Sequence, residues 1–294
     1  KEINYLATFS VPKPLFGFYK KNIDVISAWA VKADQRRYAI AEEAPRHYLD
    51  ADVYEKAVPF DTIPRNYDSA LAKYGEEALQ EHGIVPWHIE VMLKRLTRAM
   101  CYKDIPRIIK LSADLGHYIA DAHVPLHTTK NYNGQLTNQK GIHGLWESRL
   151  PELFASNYNF FSGPATYLSN PSEVIWKAVE ESFAAKDAVL NLERKLTLKM
   201  ESNKYSFEQR GRSTIRVYSK VFSKAYHKAL NQMVERRMKK AVYVTACFWY
   251  TAWIDAGQPD LSNELLQIQD LQAEIDSLNA MIKNQKIIGR MESH

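Results

Sequence analysis

Between His117 and Glu147 the chain reads HYIADAHVPLH, then a polar loop, then IHGLWE, which gathers His117, Asp121, His127, His143 and Glu147 into one short stretch. Residues four apart on a helix lie one turn on along the same face, so His117 and Asp121 present an imidazole and a carboxylate side by side. His143 and Glu147 repeat the pair. Pro125 removes a backbone donor and disfavours helix at Val124, which ends the first helix there and frees His127 to face the second pair. Two helices must therefore converge on one place. Zinc takes imidazole nitrogen and carboxylate oxygen in low coordination numbers, and five such groups exceed what one zinc site uses. His123, two residues from Asp121, points away from that face and reads as a packing or supporting residue. Of the nine His in the chain, His82, His227 and His294 carry no partner pattern and read as solvent-exposed.

The rest of the chain supplies helices for such a site. Apolar positions recur at three and four residues through 69–82, 86–102, 105–123, 172–200, 214–230 and 232–256, and no alternating β-branched run is long enough for a sheet. Asn170 before Pro171 is a helix start, and Gly257 followed by Pro259 a stop. The expected fold is all-α: a compact multi-helix bundle with a metal cluster between its core helices. Long loops are expected in the first third, marked by Pro12, Pro14, Pro59 and Pro64. Residues 1–261 read as one helical domain and 262–294 as a C-terminal amphipathic helix or short coiled-coil tail. Its residues Ile268, Leu271, Ile275, Leu278 and Ile282 step by three and four, an a/d seam. A terminal helix laid on the bundle is the favoured reading because coiled coils usually run longer, and a homodimer contact is the alternative.

Composition is permissive. A chain of 294 residues, 46% hydrophobic and 25% charged, can bury one sizeable core or two small ones. The net charge of +5 favours anionic partners, nucleic acid or phospholipid surface alike. Cys101 and Cys247 are too few for a disulfide framework and leave buried thiols or a single bridge open. The longest apolar run, 241–253, is interrupted by Thr245 and Thr251 and falls short of the ~20 residues that cross a bilayer, so no integral membrane segment is expected.

The run His117-x3-Asp121-x5-His127, followed by His143-x3-Glu147, resembles the zinc-binding core of the superfamily that unites bacterial zinc-dependent phospholipase C with the single-strand-specific zinc nucleases of fungi and plants. Upstream, Trp29-Ala-Val-Lys-Ala-Asp34 and His47-Tyr-Leu-Asp50-Ala-Asp52 resemble segments that supply two further ligands. Downstream, AVYVTACFWYTAWIDAGQP is similar to the closing helix of those enzymes. The resemblance implies one zinc on Asp34, His47, His117 and Asp121, and a second on His127, His143 and Glu147. The family's third zinc uses the amino group and carbonyl of an N-terminal Trp, an early His and a carboxylate matching Asp121. The chain opens at Lys1-Glu-Ile-Asn, which is similar to the residues just after that His. The resemblance thus implies a natural start a few residues upstream, an incomplete third site here, and export of the protein to the periplasm, outer surface or medium.

The function so implied is phosphodiester hydrolysis, phospholipase C-like, with two zincs sharing a hydroxide that attacks phosphorus. Asp34 is the expected catalytic residue, a ligand that also takes the water's proton. Asp50 or Asp52 is a candidate to orient the second ring nitrogen of His47. Glu147 stands where the phospholipases carry Glu and the nucleases tend to carry Asp. The loop 131–140 loosely resembles a nuclease loop that touches the base, which makes Tyr132, Asn133 and Asn138 candidate substrate contacts. The expected substrate is a phospholipid, or single-stranded nucleic acid in the alternative. A non-catalytic, metal-stabilised helical protein is the competing reading from another class, and the carboxylate-and-His ligands argue against it because structural zinc sites are rich in Cys.

Overall fold

The structure, a computed structural model, describes residues 1–54, 59–266 and 268–284; His294 lies outside them. The principal elements are α1 (Glu2–Ala7), α2 (Val85–Cys101), α3 (Ile105–Ala122), α4 (Pro171–Met200), β1 (Tyr205–Arg210), β2 (Ser213–Tyr218), α5 (Lys220–Ala229), α6 (Met233–Asp255) and α7 (Gln272–Asn284). The fold is mostly helical, as the periodicity predicts.

Helix ends follow local chemistry. Asp104 caps α3 by accepting from the Arg107 amide at 3.2 Å, with Pro106 in the first turn. Asn170 caps α4 in the same way through Glu173, again ahead of a proline. α3 stops at Ala122, and Val124, in extended conformation, leads into Pro125. α6 ends just before Gly257, whose positive φ of 80° turns the chain away.

Three expectations change. The first third is a succession of short helices rather than long loops, because Pro12, Pro14 and Pro59 sit at helix starts, where a missing N–H costs nothing. The periodic segment 69–82 is two helices, Tyr67–Tyr74 and Glu76–His82, divided at Gly75 with φ of 79°. The segment 214–230 is helical only from Lys220. Before it, β1 and β2 form an antiparallel hairpin pairing Tyr205 with Tyr218 and Arg210 with Ser213 across a turn at Gly211. Thr214 and Ile215 are exposed and Val217 is half-buried; all three are β-branched, so the pleat suits them better than a helix face.

Two apolar cores hold the molecule. The larger is built from α1, α2, α3, α6 and the first half of α4. At its centre Trp249 stacks on Tyr19 at 4.3 Å and donates its indole N–H to the Ser112 carbonyl. The smaller gathers Leu126, Ile142, Leu145, Trp146, Val189 and Phe222. α4 crosses both. The terminal segment closes on the larger core: Leu266 and Leu271 join it, Leu278 is buried, and Lys110 pairs with Glu274 at 2.7 Å. The apolar stripe of α7 is therefore turned towards the body of the molecule. Cys101 is exposed, Cys247 is buried, and both are free thiols. No described helix is long and apolar enough to cross a membrane.

Candidate metal centre

Two groups of His and acidic side chains meet where the two cores adjoin. Asp34, His47 and His117 form one, and His127, His143 and Glu147 the other; within each, the donor atoms lie within 4.8 Å of one another. α3 carries His117 and Asp121 one turn apart on its buried face. The short helix Lys32–Arg36 brings Asp34 to them, and the 3-10 turn Ala41–His47 brings His47. His127 stands on the 3-10 turn Pro125–Thr128, and His143 and Glu147 on the turn that follows the polar loop. Glu147 sits in π-helical backbone, Leu145–Arg149.

The first group is tight. His117 Nε2 lies 3.0 Å from His47 Nδ1, 3.2 Å from Asp121 Oδ2 and 3.5 Å from Asp34 Oδ1. His47 Nδ1 lies 2.8 Å from Asp121 Oδ2 and 3.9 Å from Asp34 Oδ1. Burial opposes charge on His117, but Asp121 and then Asp34 outweigh it and raise its pKa well above the ordinary value. Burial likewise works against ionised Asp34 and Asp121, and His117 beside each holds both carboxyls below the usual range.

In the second group, His143 Nε2 lies 2.7 Å and His127 Nε2 3.4 Å from Glu147 Oε2. The opposite ring nitrogens are committed to backbone. His127 Nδ1 donates to the His47 carbonyl at 2.7 Å, and His143 Nδ1 faces the Tyr132 carbonyl at 3.3 Å. With those protons on Nδ1, each imidazole in its neutral form presents an Nε2 lone pair to a carboxylate oxygen. Acceptor then faces acceptor, an arrangement that a shared cation satisfies. Donor set and separations thus suit a metal cation at both groups.

The groups belong to one site. Glu147 acts electrostatically on Asp34, and His127 on Asp121. A cavity of about 230 Å³ opens beside them, lined by Asp34, His117, Asp121 and Glu147 and, among its apolar groups, by Val31, Val124, Trp146 and Met238. Asp34 and Glu147, with side chains 35% and 28% exposed, are the candidate ligands more open to solvent, while His47 and His143 are sealed.

Around the ligands the structure corrects several expectations. Glu43, fully buried and one helical turn before His47, faces His47 Nε2 at 3.7 Å. It also accepts from Arg46 at 2.6 Å, from Arg36 at 3.2 Å and from the Tyr118 hydroxyl. Asp50 instead faces His82 at 3.7 Å, and Asp52 accepts from the Thr129 hydroxyl and the Lys130 amide. Neither orients His47. His82 and His227 are part-buried rather than solvent-exposed, and His227 accepts from or donates to the Tyr158 hydroxyl at 2.8 Å beneath its stacked ring. His123 is buried with Nδ1 on the Ile119 carbonyl, and its pKa is lowered to about 3 by burial, with Arg237 adding to the effect.

The three loop residues are placed apart from the cavity. Asn133 is buried, and its side-chain oxygen accepts from the amides of Gly141 and His143, pinning the turn that carries a ligand. Tyr132 offers its carbonyl to His143 and its ring to a separate groove with Lys130 and Gln135. Asn138 is exposed on a left-handed turn with φ of 58°. No model of a known protein family matches the chain, and no curated protein matches it either.

Proposed function

We propose that the chain is a zinc-dependent phosphodiester hydrolase of the phospholipase C type, related to the superfamily that its ligand spacing resembles. The observation that carries this reading is the pair of imidazole Nε2 atoms aimed at one Glu147 oxygen with both opposite nitrogens held by carbonyls. Ions bound there would polarise water and offset charge on a phosphoryl group. Asp34, open to the cavity and held ionised, orients the attacking water and receives its proton. Glu147 lines the same cavity. The apolar groups that line the cavity, Val31, Val124 and Met238 among them, shield the reacting phosphate from bulk water, which strengthens every charge interaction beside it. Trp146, the Trp among the described lining residues, is buried and offers no platform for a base, and so a phospholipid suits the cavity better than a single-stranded nucleic acid.

Metal analysis and hydrolysis of bis-p-nitrophenyl phosphate test the reading together. At least two zincs per chain and loss of hydrolysis in His117→Ala are expected; fewer than two zincs, or full hydrolysis in that variant, would defeat it and leave the metal a structural role at most. Parallel assays on phosphatidylcholine and single-stranded DNA then assign the substrate, with turnover of the lipid expected.

A further inference from the structure

The basic charge of the chain is concentrated in one lobe. Residues 194–228, which run from the end of α4 through the β1–β2 hairpin into α5, hold ten Lys and Arg against two Glu, a net of +8 in a chain whose total is +5. The remainder of the molecule is therefore net acidic. Nine of those cations are exposed, the exception being Lys204, buried against Glu193 at 2.7 Å. The same lobe presents large apolar side chains to solvent: Leu198 at 82%, Phe207 at 73%, Val221 at 62% and Ile215 at 42% exposure.

We propose that this lobe is a docking surface for an anionic phospholipid bilayer, with its cations on lipid phosphates and Leu198, Phe207 and Val221 in the headgroup boundary. Charge complementarity names an anionic partner, and each Lys or Arg held near such a surface strengthens binding several-fold. The apolar groups separate a membrane from a nucleic acid. A single-stranded polymer needs flat aromatic platforms. Of the rings on the hairpin, Tyr218 is buried and Tyr205 is covered by the Arg216 guanidinium at 3.7 Å, so the surface offers aliphatic chains and one phenyl. Such groups beside clustered cations suit insertion at an interface.

The lobe is also fastened to the metal centre. Arg149, two residues beyond Glu147 and buried, donates to the Tyr218 carbonyl at 3.1 Å and to Glu208 on β1 at 3.1 Å. A bilayer held by the hairpin therefore lies in fixed relation to the turn that carries Glu147. The inference does not rest on the proposed hydrolysis, and either can fail alone.

Co-sedimentation with vesicles tests it. The full chain is expected to bind vesicles of equimolar phosphatidylglycerol and phosphatidylcholine, to bind pure phosphatidylcholine far more weakly, and to lose affinity as salt rises. Combining Lys195→Glu, Lys199→Glu and Arg212→Glu, all exposed side chains, is expected to weaken binding roughly 100-fold. Leu198→Ser with Phe207→Ser, which keeps every charge, is expected to abolish the part of binding that survives high salt. A control with Lys13→Glu, Lys94→Glu and Arg107→Glu, equal in net charge but on other faces, is expected to bind nearly as the parent does. Equal loss in control and lobe variants would overturn the proposal, as would absence of vesicle binding. Retention of a single-stranded oligonucleotide by the lobe without vesicle binding would overturn it in favour of nucleic acid.

Discussion

Glu43 shows how the ring of a candidate ligand, His47, is aimed in this molecule. Burial alone would push its carboxyl pKa up, yet His47, Arg36 and Tyr118 hold it well below the usual range, so a full negative charge stands behind the His47 imidazole. A carboxylate in that position keeps the proton on Nε2 and leaves Nδ1 as the donor to a metal. Glu43→Gln is expected to lower zinc affinity roughly 10- to 100-fold, measured by competition with a chromophoric chelator; unchanged affinity would show that the backbone alone places the ring. The ligands themselves are legible because His117 and Asp121, and His143 and Glu147, are helical pairs within the sequence. Glu43 has the same spacing from His47, but nothing in the sequence marks the turn between them as helical, since Pro45 interrupts it. Asp50 and Asp52 are nearer in sequence and draw the expectation away from it. The backbone carbonyls of His47 and Tyr132, which fix two tautomers, have no sequence signal at all.

At the scale of elements, α3 reaches its place because α1 lies hard against it. A Cβ on Gly116 would stand 1.9 Å from Asn4 Oδ1, and Asn4 itself donates to the Ala113 carbonyl at 2.9 Å. Gly116→Ala is therefore expected to destabilise the fold by about 1–3 kcal/mol, read as a lower urea midpoint with an unchanged slope. A midpoint equal to the parent's would mean that α1 yields at no cost. The long helices α2, α3, α4 and α6 can be read from periodicity to within a residue or two, since each buries a continuous stripe. The hairpin cannot, because a short exposed strand pair has little alternation to detect, and its Thr214, Ile215 and Val217 also fit a helical window. The a/d seam of α7 leaves two outcomes open, and the burial of Leu271 and Leu278 matches the packed helix.

The whole molecule carries a second set of buried histidines that respond to acid. His88 and His123 are enclosed, and burial, abetted by Arg46 for the one and Arg237 for the other, lowers both pKa values from 6.5 to about 3. Unfolded, each takes a proton near its ordinary pKa; folded, each resists until about 3. The unfolded chain therefore binds more protons between those limits, and stability is expected to fall as pH drops from 6.5 and to level off near 3 as far as these groups are concerned. Denaturant midpoints across this range should decline less steeply in His88→Gln, and parallel profiles would refute the assignment.

The candidate metal ligands are divided between two hydrophobic bodies: His117 and Asp121 project from a helix of the larger, and His127, His143 and Glu147 from turns of the smaller. An ion in each group would neutralise Asp34 and Glu147, which otherwise repel each other across the joint, and so couple the melting of one body to that of the other. Stripped of metal, the smaller body is tied to the larger through α4 and α6, which contribute to both cores, and becomes free to open first. Calorimetry should therefore record one sharp transition in the zinc-loaded protein and two after chelation, the earlier one lost again when zinc is restored. A single transition under both conditions would mean that the shared helices alone make the molecule melt as a unit.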